Sequence, residues 1–351
     1  MNILYYMEPK TGQGGVGNVA HYLPKALAKK ANVAYFPQRR SIKNAYNLLN
    51  IYRKFVLREF DVIQFNYVPT WINGSYMLIK FAKKLGTRTV LNIHGIIQLE
   101  RKLARRHGAI PLMILPLALS SCSLADKVVV NTEYMRQQAA TWYGIARDKM
   151  VVIPNGVDLR EFSERSHTIA LDGDPAILNV GWPSRLKGFD ILAQAIAQLR
   201  SSLPNIKLHM VGGGGDMSYL PLLKEKGIEK YVVFHGMVEH SKLPRYYRSA
   251  DICVIASRRE GFPITLLEAM ASGLPVIASN IGSLQEIISN GKDGVLFKSE
   301  DADDLSKAIL ALYRDEDLKE KISVNALKTA TKYSWENIAE KYISLYKSLG
   351  K

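Results

Sequence analysis

The sequence predicts an α/β protein built from parallel-sheet units in two domains. Three observations lead there. Residues 250–287 read strand, loop, helix, strand: an apolar run Ile252–Ala256, a polar turn Ser257-Arg258-Arg259-Glu260-Gly261, a helical pattern through Met270, a stop at Ser272-Gly273 with Pro275 barring continuation, and a new strand from Val276. Residues 1–36 repeat the scheme as strand, Gly-rich loop, helix, strand. Between the two blocks, residues 159–174 are polar and read as a hinge, and 351 residues are enough for two cores of ordinary size.

Taken in order, Ile3–Tyr6 is the first strand. The loop Thr11–Gly17 follows, then a helix from about Asn18 to Lys30 with Val19, Tyr22, Leu23, Ala26 and Leu27 on one face. The loop contains GxGxxG, but no acid sits at the distance that would hold an NAD ribose, so the motif alone is weak. Residues 37–60 interleave Arg39, Arg40, Lys43, Arg53, Lys54 and Arg58 with Tyr46, Leu49, Tyr52, Phe55 and Val56. Two readings stand side by side: an ordinary amphipathic helix with a charged outer face, or a helix lying on an anionic membrane surface. Val62–Asn66 and Thr89–Ile93 read as strands, and His94 lies just past the second, where ligand chemistry tends to sit in parallel sheets. Over 96–120 a basic run precedes an apolar run, Ala109–Leu119, that is broken by Pro111 and Pro116. It falls short of the ~20 residues of a bilayer span and reads as a buried or interfacial helix. Lys127–Val130 and Val151–Ile153 are further strands, and Asn155-Gly156 reads as a tight turn into the linker.

The second block opens with strand Ala176–Val180, the loop Gly181–Gly188 and a helix from Phe189. Strand Lys207–Val211 leads into four glycines, Gly212–Gly215. Val232–His235 is the next strand, and Leu243–Arg248 a short helix before Ile252. Asp303–Tyr313, Asp317–Thr331 and Ser334–Leu349 carry helical patterns.

The formal net charge of +15 is unevenly spread. Residues 1–106 hold 18 Lys+Arg against 4 Asp+Glu, whereas the remainder holds 29 against 28. An acidic partner for the first third follows: a membrane surface, a pyrophosphate lipid or a nucleic acid. Cys122 and Cys253 sit in apolar settings and read as buried thiols, with no disulfide framework or zinc spacing. Met1 leads straight into a strand without a basic leader, and no apolar run is long enough to span. The expected location is therefore cytoplasmic, with peripheral association at the inner face of the membrane left open. Three D-x-D strings, at 172/174, 301/303 and 315/317, fall in linker or helix-start contexts and read as caps rather than metal ligands.

The chemistry concentrates after Ala256. Glu260 lies in a loop, Glu268 two helical turns on, and the N–H groups of Gly261, Phe262 and Ile264 crown a helix start, a ready anion site in which Pro263 suits the first turn. Acids for hydroxyls beside N–H groups for phosphate describe a cradle for a ligand that carries both.

The joint pattern Glu260-Gly261-Phe262-Pro263-x4-Glu268, then AMASGLPVIAS, Gly282 and Glu286, resembles the signature of the retaining GT4-like (group 1) glycosyltransferases. That resemblance implies the GT-B fold: two Rossmann-like, doubly wound domains facing across a deep cleft. They would be a basic acceptor-side domain over 1–165 and a nucleotide-sugar domain over 166–332, with a helix over 333–351 crossing back. It implies transfer of a hexosyl unit from a nucleoside-diphosphate sugar to a hydroxyl of a glycan or lipid-linked acceptor, with no cofactor and no metal. Residue by residue, Gly14 and Gly15 match glycines that approach the donor phosphates and acceptor, and His94 a histidine at the donor sugar or acceptor. Lys187-Gly188 match the diphosphate-binding Lys-Gly, and Val238, in Phe234-x-Gly236-x-Val238, lies where the nucleobase is held. Glu260 would hold the sugar hydroxyls near the reacting face and Glu268 the ribose. One departure is plain: Trp182 stands where the family has Arg, and Arg185 is the nearest substitute. An epimerase or phosphorylase on the same fold is the alternative. A nucleic-acid binder is disfavoured, since no reading motif is present and both glutamates would go unexplained.

Overall fold

The computed structural model describes residues 1–6, 14–35, 59–66, 75–94, 120–163, 168–213 and 219–350. The expected helices over 37–60 and 96–120 lie, apart from their last residues, outside this set. The chain forms two compact units, Met1–Gly156 with Trp335–Lys351, and Val157–Ser334.

In the first unit the described strands are β1 (Asn2–Tyr6), β2 (Asn32–Tyr35), β3 (Val62–Phe65), β4 (Arg88–Ile93), β5 (Lys127–Val130) and β6 (Met150–Val152). They pair in parallel in the order β2-β1-β3-β4-β5-β6. The inner strands β1, β3, β4 and β5 are buried on both faces, so they are mainly apolar without period-two alternation, whereas the edge strands β2 and β6 are only partly buried. Helix α1 (Gly14–Ala28) joins β1 to β2, with α2 (Ser75–Lys84) and α3 (Glu133–Tyr143) further along. α1 starts ahead of the expected Asn18, so Gly14 and Gly15 form its first turn rather than a loop. Glycines contribute nothing to hydrophobic periodicity, so the pattern hid that turn.

The second unit opens with α4 (Leu159–Ser163), whose Leu159 and Phe162 pack into its core. The division between the two compact units lies at Gly156/Val157. Strand β7 (Ala176–Val180) and helix α5 (Phe189–Leu199) are followed by β8 (Lys207–Val211), α6 (Leu220–Lys226), β9 (Val232–Gly236) and α7 (Leu243–Ser249). Then come β10 (Ile252–Ile255), α8 (Ile264–Ala271), β11 (Val276–Ser279), α9 (Gly282–Gln285), β12 (Val295–Phe297), α10 (Ala302–Arg314) and α11 (Glu316–Thr331). The parallel order is β12-β11-β10-β7-β8-β9. The sheet thus winds outward from β7, reverses, and winds the other way from β10, which is the doubly wound arrangement. Period-two alternation divides the core: Ile252 and Val254 join Phe189, Leu192 and Leu305 on one face, while Cys253 and Ile255 join Tyr247, Leu266 and Leu267 on the other. Asp301 and Asp315 cap α10 and α11 through their side chains, so two of the D-x-D strings are helix starts.

The last helix, α12 (Trp335–Ser348), belongs to the first unit. Lys29 and Lys30, in the turn just after α1, pair with Glu336 and Glu340, and Tyr22 of α1 stacks on Trp335 at 6.1 Å. Beneath it, Asn92 donates to Tyr342 at 2.7 Å and Tyr346 donates to Gln64 at 2.9 Å. Gly156 was expected to serve a tight turn; its backbone needs no glycine φ, and its role is space. A Cβ there would stand 2.5 Å from the Trp335 ring. Gly156→Ala is expected to displace the indole and cost about 1–3 kcal/mol. Denaturant unfolding checks this, and an unchanged midpoint would mean that the ring does not pack there.

Candidate active site

The reversal between β7 and β10 leaves a crevice beyond the carboxyl ends of two neighbouring strands. The loop after β7 carries Lys187 and the loop after β10 carries Glu260. The Lys187 ammonium donates to Glu260 Oε1 at 2.6 Å, and Ser257 Oγ donates to the same oxygen at 2.6 Å. Glu260 is 10 % exposed and Lys187 39 %, so the carboxylate is walled in and the cation reaches solvent. Gly188 makes the approach possible. Its φ is +67°, and a Cβ would fall 1.9 Å from the Ala256 carbonyl oxygen. Arg185 is exposed, and Trp182 is 54 % exposed with its ring over the Gly213 backbone.

Helix α8 opens beside this pair without a side-chain cap. Pro263 is its N-cap rather than a first-turn residue, Ile264 its first residue, and Phe262 is buried against Tyr333 at 5.9 Å. Gly261 is half-buried, and Val238 packs at the edge of the core in the turn after β9. Glu268, 2 % exposed, has its two oxygens engaged: Oε1 with His240 Nε2 at 2.8 Å, Oε2 accepting from Tyr247 OH at 2.9 Å. His240 Nδ1 lies 3.5 Å from Glu161 of α4. Burial pushes His240 down, but its hydrogen bonds to Glu161 and Glu268 outweigh that and hold it at about 9. The charged imidazole bridges the two acids and fixes the Glu268 carboxylate in orientation.

In the first unit His94 sits at the end of β4, its Nε2 3.2 Å from Asn66 Oδ1. Burial pushes it down to about 4 against the hydrogen bonds of Asn66 and Asn131, so it is neutral at physiological pH and serves as a hydrogen-bonding group rather than a cation. Asn131 is itself held by the Ile153 carbonyl at 3.0 Å and by Asn155 at 3.1 Å. Gly15 is exposed in the first turn of α1. Both thiols are buried and pushed up to about 12, which makes them inert. Among the described residues no group of three or more His, Cys, Asp or Glu is arranged to hold a metal, and no helix is long and apolar enough to cross a membrane.

Residues 161–329 match a family model described as glycosyl transferases group 1, and residues 29–161 match glycosyltransferase family 4. The chain belongs to the GT4-type glycosyltransferases. Relatives of this glycosyltransferase include the D-inositol 3-phosphate glycosyltransferase of Nocardia farcinica, 30% identical over 236 residues, 63% of this chain and 52% of that protein. D-inositol 3-phosphate glycosyltransferase 1 of Catenulispora acidiphila is 28% identical over 307 residues, 83% of this chain and 72% of that protein. The match to the Nocardia protein thus spans about half of its length. Among solved structures, sucrose-phosphate synthase from Thermosynechococcus elongatus superposes with a TM-score of 0.76 at 22% identity, covering 99% of this chain and 98% of that one. Anabaena HepE in complex with UDP and glucose gives 0.75 at 19%, covering 99% and 100%. These likenesses show the fold, GT-B.

For this glycosyltransferase the sequence pattern named Lys187, Glu260 and Glu268 but missed His240, Tyr247, Ser257, Asn66 and Asn131. His240 stands in Val238-Glu239-His240-Ser241, where nothing periodic marks it, and its partners Glu161 and Glu268 lie far off in the chain. Ser257 was in view, three residues before Glu260, and only the loop geometry gives it a role.

A histidine raised above its unfolded value of 6.5 contributes stability that is complete below about 6.5 and is lost as pH rises through about 9. Wild type minus His240→Gln is therefore expected to lose stability across pH 7 to 10 in equilibrium unfolding. A pH-independent difference would show that His240 carries no charge there.

Proposed function

We propose that the chain transfers a hexosyl unit, with retention and without a metal, from a nucleoside-diphosphate sugar to a hydroxyl of a glycan or lipid-linked acceptor. The observation that carries this is the Lys187–Glu260 pair at the strand-order reversal, inside the segment that matches the group 1 family. A sugar nucleotide reacts as charge builds on the departing diphosphate and positive character builds at the anomeric carbon. Lys187 and the uncapped N–H groups at the start of α8 supply fixed positive potential for the first, with exposed Arg185 at the rim. Glu260 takes the sugar hydroxyls and lies near the developing positive centre. Glu268, held in orientation by His240 and Tyr247, accepts from the ribose hydroxyls. Neutral His94 hydrogen-bonds sugar or acceptor without adding charge, and the leaving phosphate takes the acceptor proton on the same face, which gives retention. HepE, on the same fold, is solved with UDP-glucose, which supports a nucleotide sugar as donor.

The excess of Lys and Arg over residues 1–106 favours an acceptor presented at an anionic membrane surface, as in glycolipid or surface-polysaccharide assembly. A role as a peripheral protein at the inner face of the membrane follows from the same charge.

A thermal-shift screen of UDP-, GDP- and ADP-sugars, run with EDTA, tests the reading. A donor at a hundred times its Kd adds about 2.7 kcal/mol to stability. With the donor so found, Glu260→Ala and Lys187→Met are each expected to lower turnover about 100-fold or more while melting cooperatively. Full activity in both variants, or loss of wild-type activity on removing divalent ions, would contradict it.

A further inference from the structure

The pair at the crevice is set by a residue that the proposed chemistry does not use. Arg258 lies between Ser257 and Glu260 in chain, and its side chain is 17 % exposed. Its Nη1 and Nη2 donate in parallel to the two carboxylate oxygens of Asp190, at 2.7 and 2.9 Å, in the first turn of α5. Its Nε donates to Glu300 at 2.8 Å. Its Nη1 also donates to the Arg185 carbonyl, and its backbone N–H donates to the Leu186 carbonyl at 2.9 Å. The two carbonyls directly before Lys187 are thus tied to the residue two positions before Glu260.

We propose that Arg258 is a positioning residue: it clamps the 185–186 backbone onto the loop after β10 and so delivers the Lys187 ammonium to Glu260, without binding the ligand's phosphates itself. Three features carry this. The guanidinium is forked onto one carboxylate and touches a second, so its charge is already matched. Both loops are held within two residues of the pair, close enough that a shift in the clamp moves Lys187. And a planar fork is needed to serve Asp190 and a carbonyl together, which a lysine's point charge cannot reproduce. The consequence for ligand binding rests on the nucleotide-sugar reading; the clamp itself does not.

Two measurements on the full chain separate these. In the first, without any nucleotide, wild type, Arg258→Lys, Asp190→Asn and Glu260→Gln are lightly acetylated. Labelling of Lys187 is then read by peptide mass spectrometry against the exposed Lys298. The clamp predicts Lys187 labelling raised at least about threefold in Arg258→Lys and Asp190→Asn, toward the level of Glu260→Gln. Wild-type labelling in both, with cooperative melting retained, overturns it. In the second, UDP, GDP and ADP are titrated into the same proteins. Positioning predicts that Asp190→Asn and Arg258→Lys each weaken the bound diphosphate about 10- to 100-fold. A phosphate-binding Arg258 predicts instead that Asp190→Asn tightens it, since that variant frees the guanidinium; this result overturns the proposal. A wild type that binds none of the three counts against the nucleotide-sugar reading, while the labelling result still decides the clamp.

Discussion

The second unit depends on one close approach, that of the Gly188 backbone to the Ala256 carbonyl at the point where the strand order reverses. Right-handed crossovers carry the chain away from β7 on one side and away from β10 on the other. The two loops leaving those strands are therefore neighbours that no connection covers. Only a residue without a Cβ fits at the approach, and its left-handed φ turns the chain straight into α5. Lys187 and Glu260 meet because that contact is made. The apolar sheet faces hold the strands in place; the glycine decides what stands at their ends.

Cations and carboxylates in this region are matched to one another. Lys187 is set against Glu260, Arg258 against Asp190 and Glu300, and His240 against Glu161 and Glu268. A bare phosphate drawn to Lys187 would take the cation and leave a largely buried carboxylate without it, at a desolvation cost. A ligand bearing both phosphate and hydroxyls divides the pair without that cost, phosphate to the ammonium and hydroxyl to the carboxylate. On the proposed function, selectivity for a sugar diphosphate over a plain anion would be a property of the pair rather than of either residue. Glu268 differs in kind: fully buried and gripped from both sides, it is oriented before any ligand arrives.

Strands 127–130, 176–180 and 207–211 were legible to the residue, because a strand buried on both faces writes itself as a bounded apolar run. Residue spacing also put Glu260 in a loop and Glu268 on the helix after it. Strand order was not legible from periodicity, since parallel neighbours are brought together by long crossovers; the family resemblance supplied only the doubly wound class, not the order. The same non-locality hid His240 beside Glu268 and Asp190 beside Arg258. Gly156 misled because Asn-Gly signals a turn, whereas the bulk of Trp335, much later in the chain, demands the small residue. Pro263 misled by one position, an N-cap read as a first-turn residue.

The central claim is that Lys187, placed by the strand reversal, recognises the second phosphate of the ligand. Calorimetric titration of a nucleoside-diphosphate sugar and of the matching nucleoside monophosphate into wild type and Lys187→Met tests it most directly. The account predicts that wild type favours the diphosphate sugar strongly and that the variant loses most of that preference while keeping its affinity for the monophosphate. An undiminished preference in the variant would place diphosphate recognition elsewhere and contradict the account.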